Sequence, residues 1–249
     1  MGKSSLKAVI IAANRSGGTF LSHALDSHPL IVCERDEPLH RRSPYARAGL
    51  DIRATMDLIW SREQSAVNMF KVSYSQFLGK GDVFPKIFEV KPHIIHLYRD
   101  NLLAAGLSEV LRRERGFPTH HINRIPGKSP SPVSLNPITV ADMIEKYILD
   151  RAKVRNKLKQ IGSPTIEISY VDITGGEGES VYGVKSNRQI CIFLDVYVTP
   201  LMAQYVHKVN PSIKSNITNL DEIVVDVKGK LWTMGIDAER VKQWRDELQ

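Results

Sequence analysis

Apolar positions along this 249-residue chain fall into short continuous runs separated by amphipathic stretches, a pattern of strands alternating with helices. Residues 8–13 read as a buried strand, and 20–27 as the helix that follows. Residues 30–33 form a second short strand. The segment 41–49 is polar and basic, a surface loop. Ile52, Met56, Ile59 and Trp60 recur at helical spacing within 51–64, and 68–73 is extended. His93-Ile94-Ile95-His96-Leu97-Tyr98 is the next clear strand, with a helical pattern over 102–115 behind it. The strongest helix is 139–161. Val140, Met143, Ile144, Tyr147, Ile148, Val154, Leu158 and Ile161 make its apolar stripe; Lys146, Arg151, Lys153, Arg155, Lys157 and Lys159 make a face expected to be solvated. Gly162-Ser163-Pro164 ends it, and 165–169 is a strand. Gly175, Gly176 and Gly178 form a flexible turn before a strand at 181–184. The apolar run 190–198 fits a strand or a helix, and 238–248 is a terminal helix. With no repeat or linker, this order predicts a single α/β domain over 1–249, with a mainly parallel central sheet flanked by helices.

Composition changes little in that picture. Hydrophobic residues are 42% and charged residues 24%, enough for a core without staples. The only cysteines are Cys33 and Cys191, so no disulfide framework is implied and a reducing compartment fits. The polar start and the absence of any apolar run near ~18 residues predict a cytoplasmic protein with no transmembrane segment. The net charge of +7 fits a solvated basic surface or an anionic partner: nucleic acid, a membrane surface or a small ligand. Lys and Arg are dispersed, however, and no helix-turn-helix, RNA-binding aromatic motif or zinc-ligand spacing occurs, so no specific nucleic acid and no metal are expected. His120-His121 read as solvent-facing. The proline-rich stretch 116–137 reads as a mobile, substrate-side loop.

Chemistry concentrates in Val9-Ile10-Ile11-Ala12-Ala13-Asn14-Arg15-Ser16-Gly17-Gly18-Thr19-Phe20-Leu21. A strand, a tight turn with paired glycines and a helix start aim backbone N–H groups at one point, a site for phosphate or sulfate. Arg15 adds a charge; Ser16 and Thr19 add hydroxyls. The turn is P-loop-like, but no lysine follows Gly18, as the triphosphate-binding version requires. A second strand delivers Arg99 at its carboxyl end, and Ser108 follows on the next helix. A guanidinium and a hydroxyl there suit a second phosphate.

This pair of motifs resembles the sulfotransferases that use 3′-phosphoadenosine 5′-phosphosulfate (PAPS), in particular their bacterial and carbohydrate branch. Arg15 to Leu21 is similar to the family's R-S-G-[ST]-T-x-L turn, which binds the 5′-phosphosulfate. Arg99 to Leu103 with Ser108 is similar to its R-[DE]-N-L-L…S segment, which binds the 3′-phosphate. Weaker pieces follow in order: His28-Pro29 with Glu37-Pro38-Leu39, Phe70-Lys71-Val72, Ile168 to Ile173, and Ile213 to Asn216 with Asn219 to Glu222. Departures are Gly18, where Ser or Thr is usual, Glu37, one residue farther from His28-Pro29 than the family pattern, and Val171, where Glu is usual.

The resemblance implies a PAPS-dependent sulfotransferase with a hydroxyl acceptor of carbohydrate or glycolipid class, and no metal requirement. It assigns donor binding to Arg15, Ser16, Gly17, Gly18, Thr19, Phe20, Arg99, Ser108, Lys214 and Asn216, and catalysis to Glu37 as base with Arg15 and Lys71. Glu34, Asp36, His23 and His40 stay open as rival bases. Tyr45, Trp60, Phe117 and His121 are candidates to stack on a sugar. A P-loop nucleotide kinase and a non-catalytic anion binder on the same fold are the competing readings.

Overall fold

A computed structural model describes residues 5–35, 37–63, 65–79, 81–115, 131–174, 186–203 and 214–248. The described chain forms two compact units: one of residues 5–98, 150–174 and 186–203, the other of 99–149 and 214–248. The Gly175–Gly178 turn, the strand expected at 181–184, Asp36, Phe117 and His120-His121 lie outside the described residues, as does most of the proline-rich stretch.

The first unit holds a five-stranded, all-parallel sheet in the order β2-β3-β1-β4-β5. Its strands are β1 (Leu6–Ala12), β2 (Ile31–Glu34), β3 (Val67–Ser73), β4 (His93–Tyr98) and β5 (Thr165–Ser169). Both faces are covered, which is why residues 8–12 of β1 read as an unbroken apolar run. Ala8, Ile10 and Ala12 of β1 turn to one face, under Phe20, Leu21, Ala24 and Leu25 of α1 (Gly18–Leu25). Val9 and Ile11 turn to the other. There they meet α3 (Ile52–Trp60), α4 (Tyr74–Gly79), α5 (Val83–Val90) and the later half of α7 (Pro137–Ile161). Between α1 and α3 the chain makes a single-turn helix, α2 (Pro44–Arg47), inside the stretch expected to be loop.

Trp60 is 2% exposed, donates its Nε1–H to Ala8 O at 3.1 Å and packs on Phe70. It is core and has no face for a sugar. The ambiguous run 190–198 resolves as a helix, α9 (Asn187–Phe193), followed by irregular chain. It joins the α1 side of the core with α8 (Tyr170–Thr174).

The second unit is helical: α6 (Leu102–Glu114), the early half of α7, α10 (Leu220–Thr233) and α11 (Ala238–Asp246). The stripe on α7 therefore serves two cores. Val140, Met143, Ile144 and Tyr147 belong to the second unit, and Val154, Leu158 and Ile161 to the first. Its basic face is not simply solvated. Lys157 lies 3.6 Å over the Phe84 ring, Arg151 lies 3.5 Å over Tyr98, and Arg155 pairs with Glu167. No helix among the described residues is long and apolar enough to cross a membrane.

β1 leads toward β2 on one side of the sheet and β4 toward β5 on the other. The turn after β1 thus sits at the switch in winding direction, where open α/β sheets bind ligands.

Candidate functional site

The sheet holds the chain one residue past β1, where Ala13 N–H donates to Leu97 O at 3.0 Å. The turn then uses left-handed backbone twice, at Arg15 (φ 62) and Gly17 (φ 83). The first is a conformation that side chains disfavour, and such strain gathers at ligand-binding turns. Gly17 is the N-cap of α1 and offers no side-chain cap, so the first-turn N–H groups stay available to an anion. A Cβ at Gly17 would lie 2.9 Å from Ile173 Cδ1 and 3.0 Å from Tyr170 Cδ2, so glycine is required by space as well as by φ.

Three expected contributions to this cradle change on inspection. Ser16 is fully buried and its hydroxyl donates to Ala13 O at 2.6 Å, so it shapes the turn and does not point at a ligand. The Phe20 ring is in the core beside Leu21 and Ala24; only its backbone N–H belongs to the helix start. At Gly18 a Cβ would fall 2.9 Å from Lys71 Cδ and 3.1 Å from Ala12 Cβ. The stem of Lys71 occupies that volume, which is the physical reason for glycine where Ser or Thr was expected.

Lys71 comes from β3, on the α1 face of the sheet, and is 5% exposed. Its Nζ donates to Thr19 Oγ1 at 3.1 Å and lies 3.2 Å from Glu37 Oε1. Because Thr19 Oγ1 accepts from the ammonium, its own proton is left for another acceptor. A hydroxyl, a buried cation and a half-buried carboxylate, distant in sequence, thus meet beside the open start of α1. Glycines without side-chain bulk, uncapped N–H groups and a buried ammonium together fit an anionic phosphosulfate.

Of the rival bases, Glu34 is committed elsewhere. Its Oε1 accepts from Tyr45 Oη at 2.6 Å and pairs with Arg62, which also donates to Tyr45 Oη at 2.8 Å. Tyr45 is thereby a tether for its loop; burial and the Glu34 hydrogen bond push its phenol up to about 12. His23 lies in the last turn of α1, at the far end from the cradle. His40 is exposed and its Nδ1 accepts from Arg42 N–H at 3.2 Å.

In the second unit, Arg99 is 6% exposed just before α6, and Ser108 is half-buried within it. Asn101 between them is the N-cap. Its Oδ1 accepts from Ala104 N–H at 2.8 Å and its amide donates to Trp244 O at 2.8 Å and Glu247 Oε2 at 3.0 Å. The asparagine of that motif thus ties α6 to α11. Asn216 is also structural: its Oδ1 accepts from Arg115 at 3.0 Å and its carbonyl from Val133 N–H. Lys214 is exposed in the same short 3-10 turn. Asp221 and Glu222 sit in the first turn of α10, where acidic residues favour the helix dipole, and Asp221 pairs with Arg245. His28 is a buried strut. Its Nδ1 accepts from Leu30 N–H at 3.1 Å and its Nε2–H donates to Tyr197 O at 2.9 Å. Ser169 and Asp172 cap α8 reciprocally. Much of the extended resemblance therefore falls on residues that here are scaffolding.

Sequence reasoning missed a buried chain on the opposite face of the sheet. Tyr74 Oη lies 2.5 Å from His96 Nε2, and His96 Nδ1 lies 3.1 Å from Glu167 Oε1, which Arg155 Nε holds at 2.9 Å. A neutral ring protonated on Nδ1 satisfies both neighbours. His96 pairs in register with Ile11 on β1 and Glu167 on β5. The chain therefore ties the start of α4 to β4 and β5 on that face of the sheet. Burial lowers the His96 pKa against the opposing pull of Glu167. An unfolded histidine takes up a proton near pH ~6.5 that the folded ring refuses, so stability falls as pH drops below that value. Urea unfolding between pH 7 and pH 5 should show this loss, and a smaller one in His96→Gln. The slope should not vanish, because burial lowers His93 as well. An unchanged slope would show that His96 protonates freely in the folded protein.

Among the described residues no cluster of His, Cys, Asp or Glu is placed to hold a metal ion. No protein-family model matches the chain, and no curated protein matches it in sequence. A crystal structure of a sulfotransferase from Alicyclobacillus acidocaldarius matches it in fold. The TM-score is 0.50 at 14% identity, over 98% of this chain and 100% of that one. Identity that low carries the likeness of fold alone: a parallel α/β sheet flanked by helices.

Proposed function

We propose that the protein is a sulfotransferase that moves the sulfuryl group of PAPS to a hydroxyl of a carbohydrate-type acceptor. The observation that supports this most is the meeting of Thr19, Lys71 and Glu37 beside the uncapped start of α1. PAPS supplies the sulfuryl group and departs as adenosine 3′,5′-bisphosphate (PAP). The acceptor oxygen forms a bond to sulfur as the sulfur–oxygen bond to the 5′-phosphate breaks, and the acceptor proton passes to Glu37. The open N–H groups of Gly18, Thr19 and Phe20, the Thr19 hydroxyl and Arg15 bind the 5′-phosphate and take up the charge that grows on it. Lys71 stabilises the transferred group. Arg99 and Ser108 hold the 3′-phosphate and set the register of the donor.

Thermal unfolding with PAP, ATP and AMP tests the reading. PAP at 100 times its dissociation constant should stabilise the native state by about 2.7 kcal/mol, with smaller effects of ATP and AMP. The PAP shift should disappear in Arg99→Ala, judged against that variant's own ligand-free Tm. No shift at millimolar PAP would reduce the protein to an anion-binding relative of the fold.

A further inference from the structure

The segment after Glu37 separates its arginines into two kinds. Between β2 and the end of α3 and its following turn, Arg35 pairs with Asp26, Arg53 with Glu89 and Arg62 with Glu34. Arg41, Arg42 and Arg47 are exposed and make no ion pair among the described residues. They are nevertheless carried on a well-anchored backbone. His40 N–H donates to Glu37 O at 2.9 Å and Ser43 N–H to His40 O at 2.9 Å, so two consecutive turns begin at the candidate base. Leu39 is 4% exposed in the core, Ser43 caps α2 by accepting from Ala46 N–H at 3.1 Å, and Tyr45 is tethered to Glu34. Three exposed guanidinium groups are thus carried on the turns and the single-turn helix that follow Glu37, with no carboxylate partner among the described residues.

We propose that the acceptor is itself an anion: a hydroxyl compound already bearing carboxylate, sulfate or phosphate groups, gripped by Arg41, Arg42 and Arg47 while its hydroxyl faces Glu37. This rests on the reading of Glu37 as the base. The planar fork of arginine matches those groups in two-point hydrogen bonding. A charge requirement points the same way. An anionic acceptor must approach an anionic donor, and Lys71 and Arg15 lie on the donor side. Cations on the acceptor side offset the repulsion and raise the encounter rate.

The test uses one polymer backbone with different charge: plain dextran, carboxymethyl dextran and dextran sulfate, with binding followed calorimetrically at physiological salt. The wild type should bind the two charged forms and not plain dextran. Arg41→Ala/Arg42→Ala/Arg47→Ala should bind them about tenfold more weakly, the summed effect of three exposed ionic contacts. Replacement of the same arginines by lysine should restore only part of the binding, because the ammonium keeps the charge and loses the two-point fork. A control of equal charge loss far along the chain, Lys153→Ala/Lys159→Ala/Arg188→Ala, should stay within about twofold of the wild type. PAP stabilisation is measured on every variant and should be unchanged in the loop triple. Equal losses in the two triples, or none in the loop triple, would overturn the proposal. So would single-stranded DNA that binds more tightly than either charged dextran and is lost in the same variant, which assigns the arginines to nucleic acid. A wild type that ignores PAP but shows the dextran contrast would instead sink the sulfotransferase reading and leave the arginine site standing as an anion site.

Discussion

Glu37→Gln is expected to lower sulfuryl transfer about 10²–10⁴-fold, the usual contribution of a positioned general base, with PAP binding intact. The rate is PAP release from PAPS, with the acceptor that gives the fastest wild-type turnover. Glutamine keeps the shape of the side chain and a hydrogen-bonding oxygen for Lys71 Nζ, which lies 3.2 Å away. Only the charge and the proton-accepting capacity are lost. The Glu37 side chain is 30% exposed and glutamine keeps an oxygen for the buried Lys71 ammonium, so the variant should remain native. Glu34→Gln is the informative contrast. It loosens the knot with Tyr45 and Arg62, so its effect belongs in stability and in KM for the acceptor more than in kcat. A normal rate in Glu37→Gln would remove the base assignment.

The parts of the fold legible in the sequence were those in which one face or one run decides the matter. β1 is sealed on both faces and read as an apolar run, β3 and β4 read as extended segments, and α6 and α7 read from their spacing. Two helices, α5 and α10, went unread. α5 is eight residues long and contains Pro85, and α10 carries Ile223, Val224, Val225 and Val227, β-branched residues that mimic a strand. Packing of Ile223, Val224 and Val227 into the core of the second unit overrides that preference. At the candidate site the turn at Arg15–Thr19 announced itself, because paired glycines after a buried strand have few other uses. The inward turn of Ser16 and the displacement of a side chain at Gly18 by the Lys71 stem did not, since both depend on which atoms approach from another strand. The Tyr74–His96–Glu167 chain was illegible for the same reason: the register of β4 against β5 and the placement of the start of α4 bring it together, and no local pattern encodes either.

Lys71→Met should cost about 10²–10³-fold in sulfuryl transfer, the range for removing one positioned donor to a developing charge. Methionine keeps most of the stem that packs over Gly18 and deletes the ammonium. Lys71→Arg should not restore the rate. The stem already sits 2.9 Å from where a Gly18 Cβ would be, so a wider guanidinium cannot reach Thr19 without moving the helix start. The loss has two possible origins, because Nζ touches both Thr19 and Glu37. If Lys71 only orients Glu37, adding Lys71→Met to Glu37→Gln should cost nothing further. If it stabilises the transferred group directly, the two losses should multiply. The open start of α1 and the free proton of Thr19 place an anion against Nζ in the donor-bound protein, so multiplication is the expected outcome. A double variant no slower than Glu37→Gln would make Lys71 a positioning residue, and would leave the charge on the transferred group to the backbone N–H groups of the turn and to Arg15.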